Sequence, residues 1–196
     1  MNFMNLTKAF IISSGIFLIS CSSTPQKSTE VNQATQSAPL NEQYRNDYKK
    51  AISDLDAKKY DQASAALNQI MKNNTGFAEG WANLGLAELH GDNIAKAKSA
   101  ANNALKLEPE SAALYNLLGL IAVANGAFKE AEQHYARALQ INPNFSNTQY
   151  NLGLLNDLYY QNLAQAIQHY ERYLALINTA DPDTEAWVAE LKRNLQ

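Results

Sequence analysis

Trp81-Ala82-Asn83-Leu84-Gly85 returns as Tyr115-Asn116-Leu117-Leu118-Gly119 and again as Gln149-Tyr150-Asn151-Leu152-Gly153, each copy 34 residues after the last. The landmarks continue at the same period. Ala97 and Ala131 stand twelve residues beyond Gly85 and Gly119; Ala104 and Ala138 follow seven later, and Pro109 and Pro143 five after those. One period before Gly85, Ala51 occupies the glycine place, with Ala63, Leu67 and Ile70 at the later apolar positions. A repeat of this length is a single supersecondary unit that cannot bury its apolar face alone and must stack on its neighbours.

Within each period the apolar spacing predicts two short helices around a turn marked by polar or glycine breakers: Lys58-Lys59, Gly91-Asp92-Asn93, Asn125-Gly126 and Gln161-Asn162. The small residues Ala51, Gly85, Gly119 and Gly153 let the paired helices approach, and Tyr60, Ile94, Phe128 and Leu163 open the second helix of each pair. The first period is degenerate, with Asp47 and Thr75 where the bulky residue and the proline stand elsewhere. The fourth carries one extra residue in its inner turn, so that Ala166 falls thirteen after Gly153 and the proline drifts to Pro182. Asp181-Pro182 then predicts a new helix start, an N-cap followed by proline in the first turn. Its stripe of Trp187, Val188, Leu191 and Leu195 on an otherwise polar helix suits a terminal cap.

These motifs resemble the tetratricopeptide repeat (TPR) family: a bulky residue, Leu-Gly, a second alanine-centred helix and a closing proline. The resemblance implies an all-α solenoid of about four helix-turn-helix repeats, at 44–77, 78–111, 112–145 and 146–181 within an array of 41–181, closed by a capping helix at 182–196. It also implies a concave face lined by the first helix of each repeat. The residue after the glycine landmark points there (Ile52, Leu86, Leu120, Leu154), as do those one turn on (Leu55, Leu89, Val123 and the less apolar Asp157). Three residues before the landmark, the series is Tyr48, Ala82, Asn116 and Tyr150. The expected protein-binding groove is therefore Tyr48, Ile52, Leu55, Leu86, Leu89, Asn116, Leu120, Val123, Tyr150 and Leu154. A repeat propagates core positions as faithfully as groove positions, so each leucine has a core reading too. Left exposed, such a stripe takes a partner's helix or extended peptide. A known family variant grips a peptide's terminal carboxylate with Lys, Arg and Asn; no Lys or Arg stands at these positions, so that mode is not expected.

The chain has 196 residues, 46% of them hydrophobic, and a net charge of -3, which gives no basic patch for nucleic acid. Its single cysteine excludes an intramolecular disulfide and a thiolate metal cluster. Residues 9–20 form an uncharged apolar run that follows Lys8 and ends at Cys21, too short to span a membrane but laid out as a secretory signal. Leu18-Ile19-Ser20-Cys21 resembles a bacterial lipobox. That resemblance implies a signal peptide at 1–20, cleavage before Cys21 and covalent lipid on Cys21, such as palmitate and diacylglycerol. Several acyl chains together anchor a protein stably. By resemblance to Gram-negative sorting, Ser22 directs the chain to the outer membrane, facing the periplasm. The remainder of 21–40 is nearly free of apolar residues, so it reads as a flexible tether with an end-to-end distance of roughly 25 Å.

No phosphate loop, dinucleotide fingerprint or nucleophile elbow occurs. His134 and His169 lie in matching Gln-His-Tyr contexts and His90 stands apart, a pattern of repeat-derived side chains and not of metal ligands. The chain is expected to be no enzyme, with no catalytic residue, no metal, no small-molecule substrate and no cofactor beyond the lipid. The expected function is that of a protein–protein interaction adaptor binding an envelope protein, in pilus or secretin biogenesis first. The alternatives are a self-associating structural lipoprotein, or a scaffold for peptidoglycan enzymes or outer-membrane protein assembly.

Overall fold

The computed structural model describes residues 38–195. The expected signal peptide, Cys21 with its expected lipid and most of the expected tether lie outside the described residues. After a 3-10 turn at Glu42–Tyr44 come α1 (Arg45–Asp56), α2 (Tyr60–Met71), α3 (Ala78–His90) and α4 (Ile94–Leu107). They are followed by α5 (Ala112–Ala124), α6 (Phe128–Ile141), α7 (Ser146–Leu155), a π turn at Asn156–Tyr160, α8 (Leu163–Leu176) and α9 (Pro182–Asn194). No strand occurs among the described residues. The chain is all-α, and its helices alternate as the 34-residue period requires.

The helices fall into two compact units that divide between Glu110 and Ser111. In the first, α1 pairs with α2 and α3 with α4, and α2 also packs on α3. Ala51, Ala63, Leu67, Ile70, Met71, Leu84 and Ala87 form its buried core. Alanines at the contact let the helix backbones come close, and the long side chains of Leu67 and Ile70 fill what remains. The last residues of the expected tether are not free. The Ala38 N–H donates to the Gly76 carbonyl at 2.6 Å and the Asn41 N–H to Asn74 Oδ1 at 3.1 Å, while Leu40 packs against the core. Paired backbone groups and one apolar side chain thus dock residues 38–41 beside the α2–α3 loop.

In the second unit α5 pairs with α6, α7 with α8, and α9 closes on α8. Glycine is needed at two close approaches. A Cβ on Gly119 would stand 2.3 Å from the ring of Tyr135, and one on Gly153 would stand 2.6 Å from that of Tyr170. Both tyrosines are buried with their rings close against the glycine, one period apart once the extra residue is counted. The start of α9 is as expected: Asp181 Oδ1 accepts from the Thr184 N–H at 3.0 Å, with Pro182 in the first turn. Its stripe is narrower than expected. Val188 and Leu191 are buried, but Trp187 is 45% and Leu195 53% exposed. Trp187 directly precedes Val188 and so points about 100° away round the helix; Leu195 stands at the C-cap, past the last turn.

All four inner turns share one backbone device. Lys58, Asp92, Gly126 and Gln161 adopt left-handed φ values of 58°, 60°, 73° and 53°. In the first three the next residue's N–H returns to a carbonyl five residues back: Lys59 to Asp54, Asn93 to Glu88 and Ala127 to Ala122, each at 2.8 Å. This is the Schellman closure of a helix C-terminus. In the fourth, the Asn162 N–H reaches the Asn156 carbonyl, six residues back, also at 2.8 Å. The extra residue seen in the sequence is therefore taken up by the π turn, and the left-handed closure survives.

Candidate functional site

The expected groove residues all lie on α1, α3, α5 and α7, the first helices of the four pairs. Their packing sorts them. Leu55, Leu89 and Val123 are core, at 7%, 1% and 3% exposure. Leu120 and Leu154 were expected to stand exposed beside the glycine landmark, yet they are only 9% and 8% exposed. Ile52 and Leu86 hold the same register and keep more surface, so the place beside the landmark does not by itself set exposure. Tyr48, Ile52, Leu86 and Tyr150 remain half-buried, and these are the groove candidates with surface to offer.

In the first unit Tyr48 is held from three sides. Its hydroxyl donates to Glu79 Oε1 at 2.9 Å and accepts from Asn83 Nδ2 at 2.6 Å, and its ring meets Phe77 edge-on at 5.2 Å. Burial pushes the phenol well above its usual range, helped by the Glu79 charge and hydrogen bond and opposed by the Asn83 amide. Tyr48 is therefore a fixed neutral donor. The second unit repeats the arrangement with different chemistry. Asn116, at the Tyr48 position, is buried and its Oδ1 accepts from Thr148 Oγ1 and Asn151 Nδ2, both at 3.0 Å. In each unit an asparagine 35 residues on, Asn83 or Asn151, thus ties the first helix of one repeat to that of the next. Asn116 serves this tie and has little surface for a partner.

Tyr150 belongs to an aromatic group that the sequence reading did not assemble. Its ring lies 5.7 Å from that of Tyr170 and 5.0 Å from that of Tyr173. The Tyr170 hydroxyl donates to Asp157 Oδ2 at 3.3 Å, and Trp187 Nε1 donates to the same oxygen at 2.7 Å. The Tyr173 hydroxyl donates to Asp181 Oδ2 at 3.0 Å. Burial pushes the Tyr170 phenol far up, reinforced by Asp157, and burial with Asp181 pushes Tyr173 up to about 12. Burial also raises Asp181, but hydrogen bonds from Thr184 and Tyr173 outweigh it and hold the carboxyl below its usual value. The signals available in the sequence were the break from apolar residues to Asp157 and the extra residue beside it.

The histidines stay apart. His90 stacks on Tyr60 at 4.5 Å and 9°, and burial, with Lys58 adding to it and Asp92 opposing, pushes it down to about 4. His169 Nδ1 lies 2.8 Å from Gln149 Oε1, and burial lowers its pKa. His134 Nε2 lies 3.6 Å from Glu130 Oε1. Among the described residues no group of three or more His, Cys, Asp or Glu is placed to hold a metal. None of the described helices is long and apolar enough to cross a membrane.

The family model described as "Tetratricopeptide repeat" matches the chain at residues 48–97 and 90–144. No curated protein matches it. Among solved structures, PilF of Pseudomonas aeruginosa is similar with a TM-score of 0.67 at 23% identity, over 76% of this chain and 67% of that one. A thermophilic TPR protein of Thermus thermophilus is similar with a TM-score of 0.67 at 20% identity, over 77% of this chain and 82% of that one. MamA of Desulfovibrio magneticus follows, with a TM-score of 0.58 at 18% identity, over 66% of this chain and 73% of that one. At these identities the likeness is one of fold.

Proposed function

Because the chain belongs to the tetratricopeptide repeat family, we propose that it is an adaptor which binds an envelope protein while held to the outer membrane by lipid on Cys21. The observation that carries the binding half is the half-buried apolar and aromatic side chains on the first helices of the repeats, Tyr48, Ile52 and Leu86 in the first unit and Tyr150 in the second, in a fold whose repeats are protein-interaction modules. Hydrogen bonds fix Tyr48, core packing holds Ile52 and ring contacts hold Tyr150, so little ordering entropy is lost when a partner covers them. The membrane half rests on the lipobox-like Leu18-Ile19-Ser20-Cys21, the apolar run before it and Ser22 after it. A pilus or secretin assembly machine is the client we put first; the order of lipobox, tether and repeat array supports it, as does the likeness to PilF.

In-cell crosslinking with affinity capture of the acylated chain tests this reading. A single envelope machine dominating the captured proteins is the expected result, and a set made up of self-crosslinks and abundant porins would replace the adaptor by a self-associating structural lipoprotein. That second reading has its own support in the exposed Trp187 of α9 and Leu195 just past its end. The anchor is tested separately: Cys21→Ala should remove the acyl chains and the protein from the outer-membrane fraction, and unchanged fractionation would defeat it.

A further inference from the structure

The fourth repeat departs from the other three one turn past the glycine landmark. The position one turn past the glycine landmark is Leu55, Leu89 and Val123 in repeats one to three, each packed into core. In the fourth it is Asp157, half-buried, on the π turn that absorbs the inserted residue. π turns within α-helices recur at functional sites, because they cost hydrogen-bond regularity and re-aim the side chains they carry. Here the re-aimed side chain is a carboxylate among aromatic rings.

We propose that Asp157, flanked by the rings of Tyr170 and Trp187 with Tyr150 and Tyr173 beyond them, seats a cationic side chain, arginine or lysine, of a partner polypeptide. The proposal rests on the interaction reading above and gives the partner's chemistry at one point of it. Both protein donors to Asp157, Trp187 Nε1 and the Tyr170 hydroxyl, fall on Oδ2; Oδ1 has no hydrogen-bond partner among the described residues. The Trp187 indole is fixed by its N–H yet nearly half exposed, which sets a solvent-facing aromatic surface beside the carboxylate. A cation near a ring face and within reach of a partly desolvated carboxylate gains from both, and arginine gains most, through its planar fork. Among the described residues no Lys or Arg is paired with Asp157, whose donors are Tyr170 and Trp187. Residues 138–171 contain no Lys or Arg. Farther on, Arg172 is taken by Asn144, Lys192 by Glu171 and Arg193 by Glu190. Residues 111–195 hold five Lys and Arg against eight Asp and Glu, a net -3, so the surroundings favour a positive ligand.

The test uses the full acylated chain in neutral detergent, with three end-capped probe peptides: hexa-arginine, hexa-lysine and the neutral isostere hexa-citrulline. Calorimetry gives affinity, and Trp187 emission in a Trp81→Phe background gives location. Hexa-arginine should bind saturably and shift Trp187 emission, hexa-lysine should bind more weakly, and citrulline should not bind. Asp157→Asn should weaken hexa-arginine binding at least tenfold. Asp183→Asn removes the same charge from the exposed side of α9 and should leave the affinity within twofold. Trp187→Ala, a change on an exposed face, serves as the second variant should Asp157→Asn unfold, and should weaken binding at least threefold with the circular dichroism unchanged. Equal loss in Asp157→Asn and Asp183→Asn, or citrulline binding as well as arginine, overturns the proposal. So does sedimentation showing that Asp157→Asn and Trp187→Ala dissociate a homodimer without changing peptide affinity, since the face then belongs to a second copy. Cell capture separates the two readings. A partner held equally by the parent chain and by Asp157→Asn sinks the seat and leaves the adaptor standing; no partner on the parent chain sinks the adaptor.

Discussion

The inner turn of the second repeat and that of the fourth close equivalent helix pairs, one after an unbroken α-helix and the other after a π turn. Asp92 and Gln161 hold nearly the same left-handed φ, 60° and 53°, and the closing hydrogen bond is 2.8 Å in both. What differs is the distance spanned, five residues in one and six in the other. The insertion was absorbed in the helix's last turn, where one disturbed hydrogen bond is the cost, and not in the closure that fixes where the next helix starts. The consequence appears one turn past the glycine: Leu89 is core, whereas Asp157 sits half-buried with its Oδ2 bonded to Tyr170 and Trp187. A repeat array can acquire a new chemical group where its backbone tolerates irregularity, leaving the stacking register intact.

The largest effect that would break this equivalence lies at the glycine landmark. Gly119→Ala puts a methyl 2.3 Å from the Tyr135 ring, which is fully buried and has no room to retreat. Overpacking of this kind costs about 1–3 kcal/mol. The first repeat shows the alternative solution, with Ala51 in the glycine place and Leu67, not a ring, at the tyrosine position. Gly119→Ala combined with Tyr135→Leu should therefore recover part of the melting temperature lost by Gly119→Ala alone. A thermal melt in which Gly119→Ala is neutral would remove the ring-over-glycine contact as the reason for glycine.

That pairing bears on what the sequence could reveal. The helices, the turns, the Asp181-Pro182 start and the inserted residue were legible because each rests on local chemistry repeated several times. The groove was only partly so. Ile52 and Leu86 stay half-buried, but Leu120 and Leu154 at the same register are buried, and no period within the sequence separates these cases. The Asp157 group was not assembled because it joins the π turn, α8 and α9, which lie up to 30 residues apart and outside the repeat's register. The stripe on α9 misled for the converse reason: a helical period says which residues share a face, not how wide a strip the neighbour covers.

The asparagine ties give the next contrast. Asn151→Ala leaves the buried Asn116 Oδ1 with Thr148 alone and should cost about 1–2 kcal/mol. Asn83→Ala should cost less, because the Tyr48 hydroxyl keeps Glu79 as acceptor. Denaturant titration of the two variants measures the difference; equal losses would mean that the ties are equivalent despite their partners.

Acid separates the units through their histidines. Burial holds the folded His90 at about 4, below the ordinary histidine value of 6.5, so between these the unfolded chain binds more protons than the folded one. Its contribution is therefore fully present above pH 6.5 and is lost as pH falls toward 4. The ring is partly solvated and screening returns some of the shift, which leaves about 1 kcal/mol at most. His169 shifts the same way through burial. His90→Gln should flatten the acid limb of stability for residues 38–110 as read by hydrogen exchange. An unchanged pH profile there would show that the stacked ring on Tyr60 is not what acid disrupts.

The smallest effects belong to the left-handed turn residues, and they test the shared closure most directly. A non-glycine residue in this conformation costs roughly 1–2 kcal/mol from its Cβ, while glycine gives back about 0.5–1 kcal/mol of that in unfolded-state entropy. Gly126→Ala should thus destabilise by about 1 kcal/mol, whereas Lys58→Gly and Gln161→Gly should each stabilise by a few tenths to about 1 kcal/mol. If the closure is the same device in both kinds of turn, Lys58→Gly and Gln161→Gly will give equal gains in melting temperature. A gain at Lys58 with none at Gln161 would mean that the π turn, not the left-handed residue, sets the energy of the fourth closure. The insertion would then be a strained element, and shortening the turn by deleting the exposed Tyr160 should stabilise the second unit while removing Asp157 from its seat between Tyr170 and Trp187.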